Sequence, residues 1–379
     1  MNLSPLSFTG AEVLHPGGLS RQPIGIANGR ITNAGTGRRV DLSGFLILPG
    51  IVDPHGDGFE RHLAPRRGAA TDLGQGLCAV EAELGANGIT TAVLAQFWSW
   101  EGGMRSPEFA AALCAELDSH EARADLRLQL RLELGCYEAF DAVLELIERY
   151  RIGYVVFNDH LPHGALASGK RVPRLEGQAL KSGRSPADHL ALLTRLYEQI
   201  GIARARLPDL CAALSARGVI LGSHDDDTAE ARATWRALGA SIAEFPVTGE
   251  AANAAREGGD PIVMGAPNVM RGGSHSKGVS ARDLLGAGGS VALASDYHYP
   301  APLGAARRLI SEGWALPDAW ALVSSAGARL LGLSDRGVLE IGKRADLVIV
   351  DPGLTQVQAT IAGGQITYLA GPVAARFLV

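Results

Sequence analysis

Cysteine is scarce in this chain, net positive charge is missing, and long apolar runs do not occur. The four cysteines, Cys78, Cys114, Cys136 and Cys211, are scattered and form no C-x-x-C. They read as small, reduced core residues of a cytoplasmic protein. Basic residues number 35 against 40 acidic ones, a formal net charge of −5. That balance argues against sequence-independent nucleic-acid binding, which needs a basic surface. It leaves room for a small phosphorylated substrate, because local arginines and bound metal can reverse the sign inside a cleft. No apolar run approaches the roughly 18–20 residues that span a bilayer. The opening Met1–Gly10 has neither a basic start nor a long apolar core, so no signal peptide is expected. No G-x-G-x-x-G or G-x-x-x-x-G-K-[ST] follows any apolar run, which removes support for a nucleotide-binding loop.

What is present is a strong alternation of strand and helix patterns. Apolar runs predict strands at about 45–53, 90–95, 127–134, 154–159, 219–224, 242–247, 261–266 and 291–296, with helical stretches such as 71–86, 107–123, 138–150 and 186–217 between them. Eight βα units in series imply a (β/α)8 TIM-like barrel of the α/β class, with an open doubly wound sheet as the alternative. Both chain ends look β-rich. Ile24-Gly25-Ile26-Ala27 followed by Asn28-Gly29 reads as a strand and hairpin turn. The expected organisation is therefore a small β-sandwich domain formed by residues 1–50 and 336–379, with the barrel over 51–335. Residues 161–185 read as a long basic connection carrying Lys170, Arg171, Arg174, Lys181 and Arg184. Such a segment is either a solvated mobile loop or a flap over an anionic substrate.

Barrel enzymes carry their chemistry at the C-terminal ends of the strands. His55 and Asp57 follow the first predicted strand, and a two-residue spacing sends both side chains the same way. Glu133, His160, His224 and Asp296 end later strands. A single strand-end histidine is more often a hydrogen-bonded structural group. Six imidazole and carboxylate groups at successive strand ends are much harder to attribute to chance. Together they suit one or two Zn²⁺ ions, or Mn²⁺ or Fe²⁺, and Asp296 is the expected base and acid. Asp226 and Asp227 read as helix caps before Thr228, Asp159 as a partner for a neighbouring histidine, and His15, His120 and His189 as surface residues.

Two segments look suited to anions. The run after the seventh strand offers Asn268, Arg271, Gly272, Gly273, Ser274 and His275. Barrels often bind phosphate there, glycine allows close backbone approach, and arginine can grip phosphate with two donors. Just past the first strand, Arg61 and Arg66 either reach substrate or form a surface basic patch.

Taken together these residues resemble the amidohydrolase superfamily over nearly the whole chain. The Leu48-Pro49-Gly50-Ile51-Val52-Asp53-x-His55 entry and the Gly342-Lys343-Arg344-Ala345-Asp346-Leu347-Val348 exit carry much of the likeness. Common members have His-x-His after the first strand, where this chain has His55-Gly56-Asp57, and many have a strand-end carbamylated lysine, which none of Lys170, Lys181, Lys277 or Lys343 matches. Glu133 stands where a bridging carboxylate is wanted. That variant resembles the phosphonate-metabolism branch, the α-D-ribose 1-methylphosphonate 5-triphosphate diphosphatases. The matching strings are Ser223-His224-Asp225-Asp226, Ala243-Glu244-Phe245-Pro246, Arg271-Gly272-Gly273-Ser274-His275 and Ser295-Asp296-Tyr297. The resemblance implies hydrolysis of a ribose triphosphate to its 5-phosphate and diphosphate within phosphonate catabolism. The branch usually continues Ser-Asp-Tyr-Tyr-Pro, whereas His298 is inserted here. The alternative is hydrolysis of a C–N bond in an amide, cyclic amide or deaminase substrate. Neither a membrane nor a nucleic-acid partner is expected, and a homo-oligomer is left open.

Overall fold

The computed structural model describes residues 4–35, 37–64, 72–272, 281–286 and 289–378. Eight strands, Ile51–Gly56, Ile89–Trp98, Asp125–Glu133, Tyr154–Asn158, Ile220–His224, Ile242–Glu244, Ile262–Gly265 and Val291–Ala294, form one sheet in chain order. Neighbours run parallel, and a parallel bridge between Gly56 and Asp296 links the first strand to the segment following the last. This is the (β/α)8 barrel; the open doubly wound alternative falls, because its strand order would reverse part-way across the sheet. The chain divides into two compact units, Met1–Leu94 with Glu121–Arg127 and Pro261–Val379, and Ala95–His120 with Leu128–Asp260.

In the first unit the two chain ends build a sandwich. A four-stranded sheet comes from Leu6–Thr9, Ile24–Ala27, Arg30–Asn33 and Arg38–Asp41. A six-stranded sheet places Leu347–Val350 directly against Leu46–Pro49, so both termini share one ladder. Phe8, Ile26, Ile31, Val40, Ile47, Leu347, Ile349 and Ile361 fill the space between, all but sealed from solvent. The Asn28-Gly29 turn has φ of 50° and 73°, the left-handed pair that a two-residue hairpin needs.

The first barrel strand is wedged tightly against the helix Ser325–Leu330. A Cβ added at Gly327 would lie 2.4 Å from the Val52 carbonyl oxygen, a backbone atom that has little room to retreat. Gly327→Ala is therefore expected to destabilise the protein by about 1–3 kcal/mol through overpacking. A urea midpoint equal to wild type would refute that reading of the contact.

The second unit packs helices Phe140–Tyr150 and Pro186–Ala216 around Leu130, Leu132, Val155, Phe157, Leu210 and Leu221. Residues 161–185 are not an open loop. They contain helices His163–Ala167 and Leu175–Lys181, and Leu161 and Val172 join Trp100, Leu193 and Leu196 in a small core of their own. The basic side chains are partly spent on local contacts: Arg171 pairs with Glu176, and Arg184 donates to the Trp100 carbonyl. Among the described residues, no helix is long and apolar enough to cross a membrane.

Candidate active site

In the first unit the ends of the first and last barrel strands are tied by two backbone hydrogen bonds. The Asp57 amide donates to the Asp296 carbonyl (2.9 Å), and the Asp296 amide donates to the His55 carbonyl (3.1 Å). His55, Asp57 and Asp296 are thereby brought together. Asp296 has a φ of 56°, a left-handed conformation that aspartate tolerates better than most side chains. Behind them Asp53 is sealed from solvent and accepts hydrogen bonds from the Ser295 amide (2.8 Å) and hydroxyl (2.5 Å). Burial pushes the Asp53 carboxyl up to about 6, against the pull of those two donors. The Tyr299 ring lies along the strand end, where Cβ atoms on Gly56 and Gly58 would meet it at 3.0 and 3.2 Å. Glycine at both places lets the ring in.

Arg61 and Arg271 converge on Tyr297. Arg61 donates to its carbonyl (3.0 Å) and pairs with Glu83, while Arg271 donates to its hydroxyl. Tyr297 links the two cations from a position outside both anion-suited segments. The run after the seventh strand is in part the helix Ala266–Arg271, which carries Asn268; Gly272 closes it with a φ of 78°. Arg66, Gly273, Ser274 and His275 lie outside the described residues.

In the second unit Glu133, His160 and His224 come together. Glu133 is fully buried and accepts from the His160 amide (3.1 Å), the His160 Nδ1 and the Trp100 Nε1 (3.3 Å). Burial alone would raise the Glu133 carboxyl, but the His160 hydrogen bond and charge outweigh it and hold it below the ordinary range. Burial works against charge on His160 too, yet Glu133 raises it. His224 is pushed down to about 4, by burial first and then by the Arg131 cation. Its Nδ1 lies 3.2 Å from Glu244 Oε2, and Arg131 Nη2 lies 2.8 Å from its Nε2. Glu244 also accepts from Gln129 (2.5 Å) and Tyr154 (2.7 Å).

Arg131 and Glu244 were missed as site residues. Arg131 sits two positions before Glu133 in the same strand, so strand alternation sends it the same way. Its guanidinium packs 3.9 Å from the Phe97 ring centre. Glu244 ends its strand as the other candidates do.

Three further expectations need correction. Asp226 and Asp227 do not cap the following helix; Thr228 does, accepting from the Ala231 amide. Asp226 is instead buried with Ser223 and Arg232. Asp159 does partner a neighbouring histidine, His163 (2.8 Å), one turn into the next segment. His189 is fully buried against Trp100 rather than on the surface. Cys78 is exposed, unlike the buried Cys114 and Cys211, and all four cysteines are free thiols.

The described residues of the second unit contain two donor groups with metal-binding spacing: His160, His224 and Asp225, and Glu101, Glu133 and His160. The donor chemistry fits a divalent ion, because carboxylates behind each histidine Nδ1 leave Nε2 to face a cation. In sequence, residues 58–373 match the amidohydrolase family. The chain belongs to that family. This amidohydrolase is 33% identical over 324 residues to the alpha-D-ribose 1-methylphosphonate 5-triphosphate diphosphatase of Escherichia coli (strain K12), covering 82% of this chain and 84% of that one. In structure it is similar to a putative prolidase from Bifidobacterium longum, at a TM-score of 0.64 and 15% identity, over 100% of this chain and 99% of that one. It is also similar to N-acetylglucosamine-6-phosphate deacetylase from Pasteurella multocida, at a TM-score of 0.65 and 12% identity, over 96% and 99%. These two likenesses establish the fold. Family and relative together make this amidohydrolase a hydrolytic enzyme.

Proposed function

We propose that this amidohydrolase cleaves a phosphoanhydride bond of a ribose triphosphate, converting α-D-ribose 1-methylphosphonate 5-triphosphate to the 5-phosphate and diphosphate in the cytoplasm. The observation that carries the reading is the 33% identity over most of both chains with an enzyme named for that substrate. The meeting of Arg61 and Arg271 at Tyr297, in the unit that also holds His55, Asp57 and Asp296, supports it. Two guanidinium groups are more than a neutral amide substrate requires, and they suit phosphate oxygens.

The residues proposed to hold divalent metal, zinc first, are His55, Asp57 and Asp296, and His160 and His224 together with Glu133. When bound, such an ion lowers the pKa of a bound water towards neutrality and withdraws charge from phosphate oxygens. Asp296 takes the proton of the attacking water and returns it to the departing oxygen. Arg61 and Arg271 grip the phosphate chain and offset the charge that grows on its oxygens as the bond breaks.

Arg271→Ala should raise KM for a ribose triphosphate by about 10- to 100-fold, the worth of one charge-assisted hydrogen bond. An uncharged amide turned over by the same preparation should feel little change. Equal effects on both substrates would remove the phosphate role from Arg271. The reading as a whole is tested by steady-state turnover of metal-loaded protein on ribose and nucleoside triphosphates beside cyclic amides. Preference for the cyclic amides would hand the site to C–N hydrolysis.

A further inference from the structure

Asp225 directly follows His224 and has a φ of 61°, so the chain turns back on itself there. Its amide donates to the Glu244 carbonyl (3.0 Å), which fixes the turn. The carboxylate lies 3.7 Å from His224 Nε2 and 3.9 Å from His160 Nε2. Donor atoms each about 2.1 Å from a shared ion stand roughly 3–4 Å apart. The three donors lie within 4.8 Å of one another.

Both rings are held from behind. His160 Nδ1 rests on Glu133 and His224 Nδ1 on Glu244, and both carboxylates are fully buried. A ring whose Nδ1–H is given to a carboxylate presents a lone pair at Nε2. The Arg131 contact supports this tautomer for His224. A guanidinium has only N–H groups to offer, so at 2.8 Å the His224 Nε2 is the acceptor. The same guanidinium packs over the Phe97 ring.

We propose that Asp225 is a metal ligand, joining His160 and His224 at a shared ion, and that Glu244 holds the His224 ring from behind. The proposal rests on the metal-hydrolase reading and adds a residue to it. Two imidazoles with one carboxylate suit Zn²⁺, Mn²⁺ or Fe²⁺. Asp225 is half exposed, so it closes the open side of a set whose other members are rooted in the barrel.

The test uses the full-length protein, stripped with a chelator and titrated with Co²⁺, following metal per chain and the visible absorption of the bound ion. Asp225→Asn keeps the shape and the left-handed backbone, and Asp225→Gly removes the side chain at no steric cost. Both variants should therefore fold, with an unchanged circular dichroism spectrum. Each is expected to lose one Co²⁺ per chain, or to bind it more than about 100-fold more weakly, beyond the 10- to 100-fold typical of an outer partner. The absorption bands should shift as the coordination number drops. Should wild type bind Co²⁺ and both variants match it in affinity and spectrum, the Asp225 assignment falls alone. Should wild type bind none, the metal-hydrolase reading falls and takes this assignment with it.

Discussion

Asp296→Asn should lower kcat by about 10²- to 10⁴-fold, the usual contribution of a positioned acid–base group. The substitution is nearly isosteric, and asparagine accepts the left-handed φ of 56° at this position as readily as aspartate. The hydrogen bonds that join position 296 to His55 and Asp57 are made by backbone atoms, so they survive the change. What disappears is the carboxylate that takes up a proton. KM should move far less than kcat, because the phosphate grip belongs to Arg61 and Arg271. Metal content and kinetics should be measured on the same preparation. Turnover within a few-fold of wild type, with metal still bound, would transfer the acid–base role to another group.

The largest expected loss of stability lies away from the chemistry, at Arg232. This side chain is fully buried and pairs with two buried carboxylates, Asp226 (3.1 Å) and Asp260 (3.1 Å). It also donates to the Ser223 hydroxyl (2.7 Å) and to the Ala240 and Ile242 carbonyls. Arg232→Met fills much of the same volume but strands those acceptors. Removing one partner of a buried ion pair typically costs about 3–5 kcal/mol. Arg236 still neutralises Asp260 (2.6 Å), so the penalty falls mainly on Asp226. Burial already holds the Asp226 carboxyl above its ordinary value, and losing the Arg232 charge raises it further. A carboxyl with a raised folded-state value favours the fold when protonated, and that advantage is lost as pH rises through the raised value. The deficit of Arg232→Met should therefore be greatest at neutral pH and shrink on acidification. Urea unfolding at two pH values checks both the size and the sign. A shift under about 0.5 kcal/mol, the range of an ordinary surface change, would show that the network matters little.

The barrel was legible in the sequence because its strands are short apolar runs separated by clear helical stretches. Strand ends read less well. The run predicted to reach residue 247 stops at Glu244, because Phe245 takes a φ of 50° ahead of Pro246. Signals for two of the missed residues were nonetheless present. Arg131 shares the strand parity of Glu133, and His189 precedes Leu193 and Leu196 by four and seven positions, on the buried stripe of the helix Pro186–Ala216. The two short helices within 161–185 left no such trace, since segments of 5 and 7 residues hold too few turns to establish a period. Pairings between distant side chains, such as Arg271 with Tyr297 or Gln129 with Glu244, depend on the folded arrangement and leave no mark in local spacing.

The ladder shared by the two chain ends bears on synthesis. Arg30 donates a hydrogen bond to the Gly342 carbonyl, 312 positions further on, and Leu46–Pro49 pairs with Leu347–Val350. At roughly 5–20 residues per second on the ribosome, about 15–60 s separate the emergence of the two sides. Throughout that interval Leu46, Ile47 and Leu48, all buried in the finished protein, wait without the strand that later covers one edge of theirs. A nascent chain in this condition is a natural client for a holdase chaperone. Shortening the C-terminus by a few dozen residues would leave the N-terminal edge open for good and expose it to strand-by-strand aggregation.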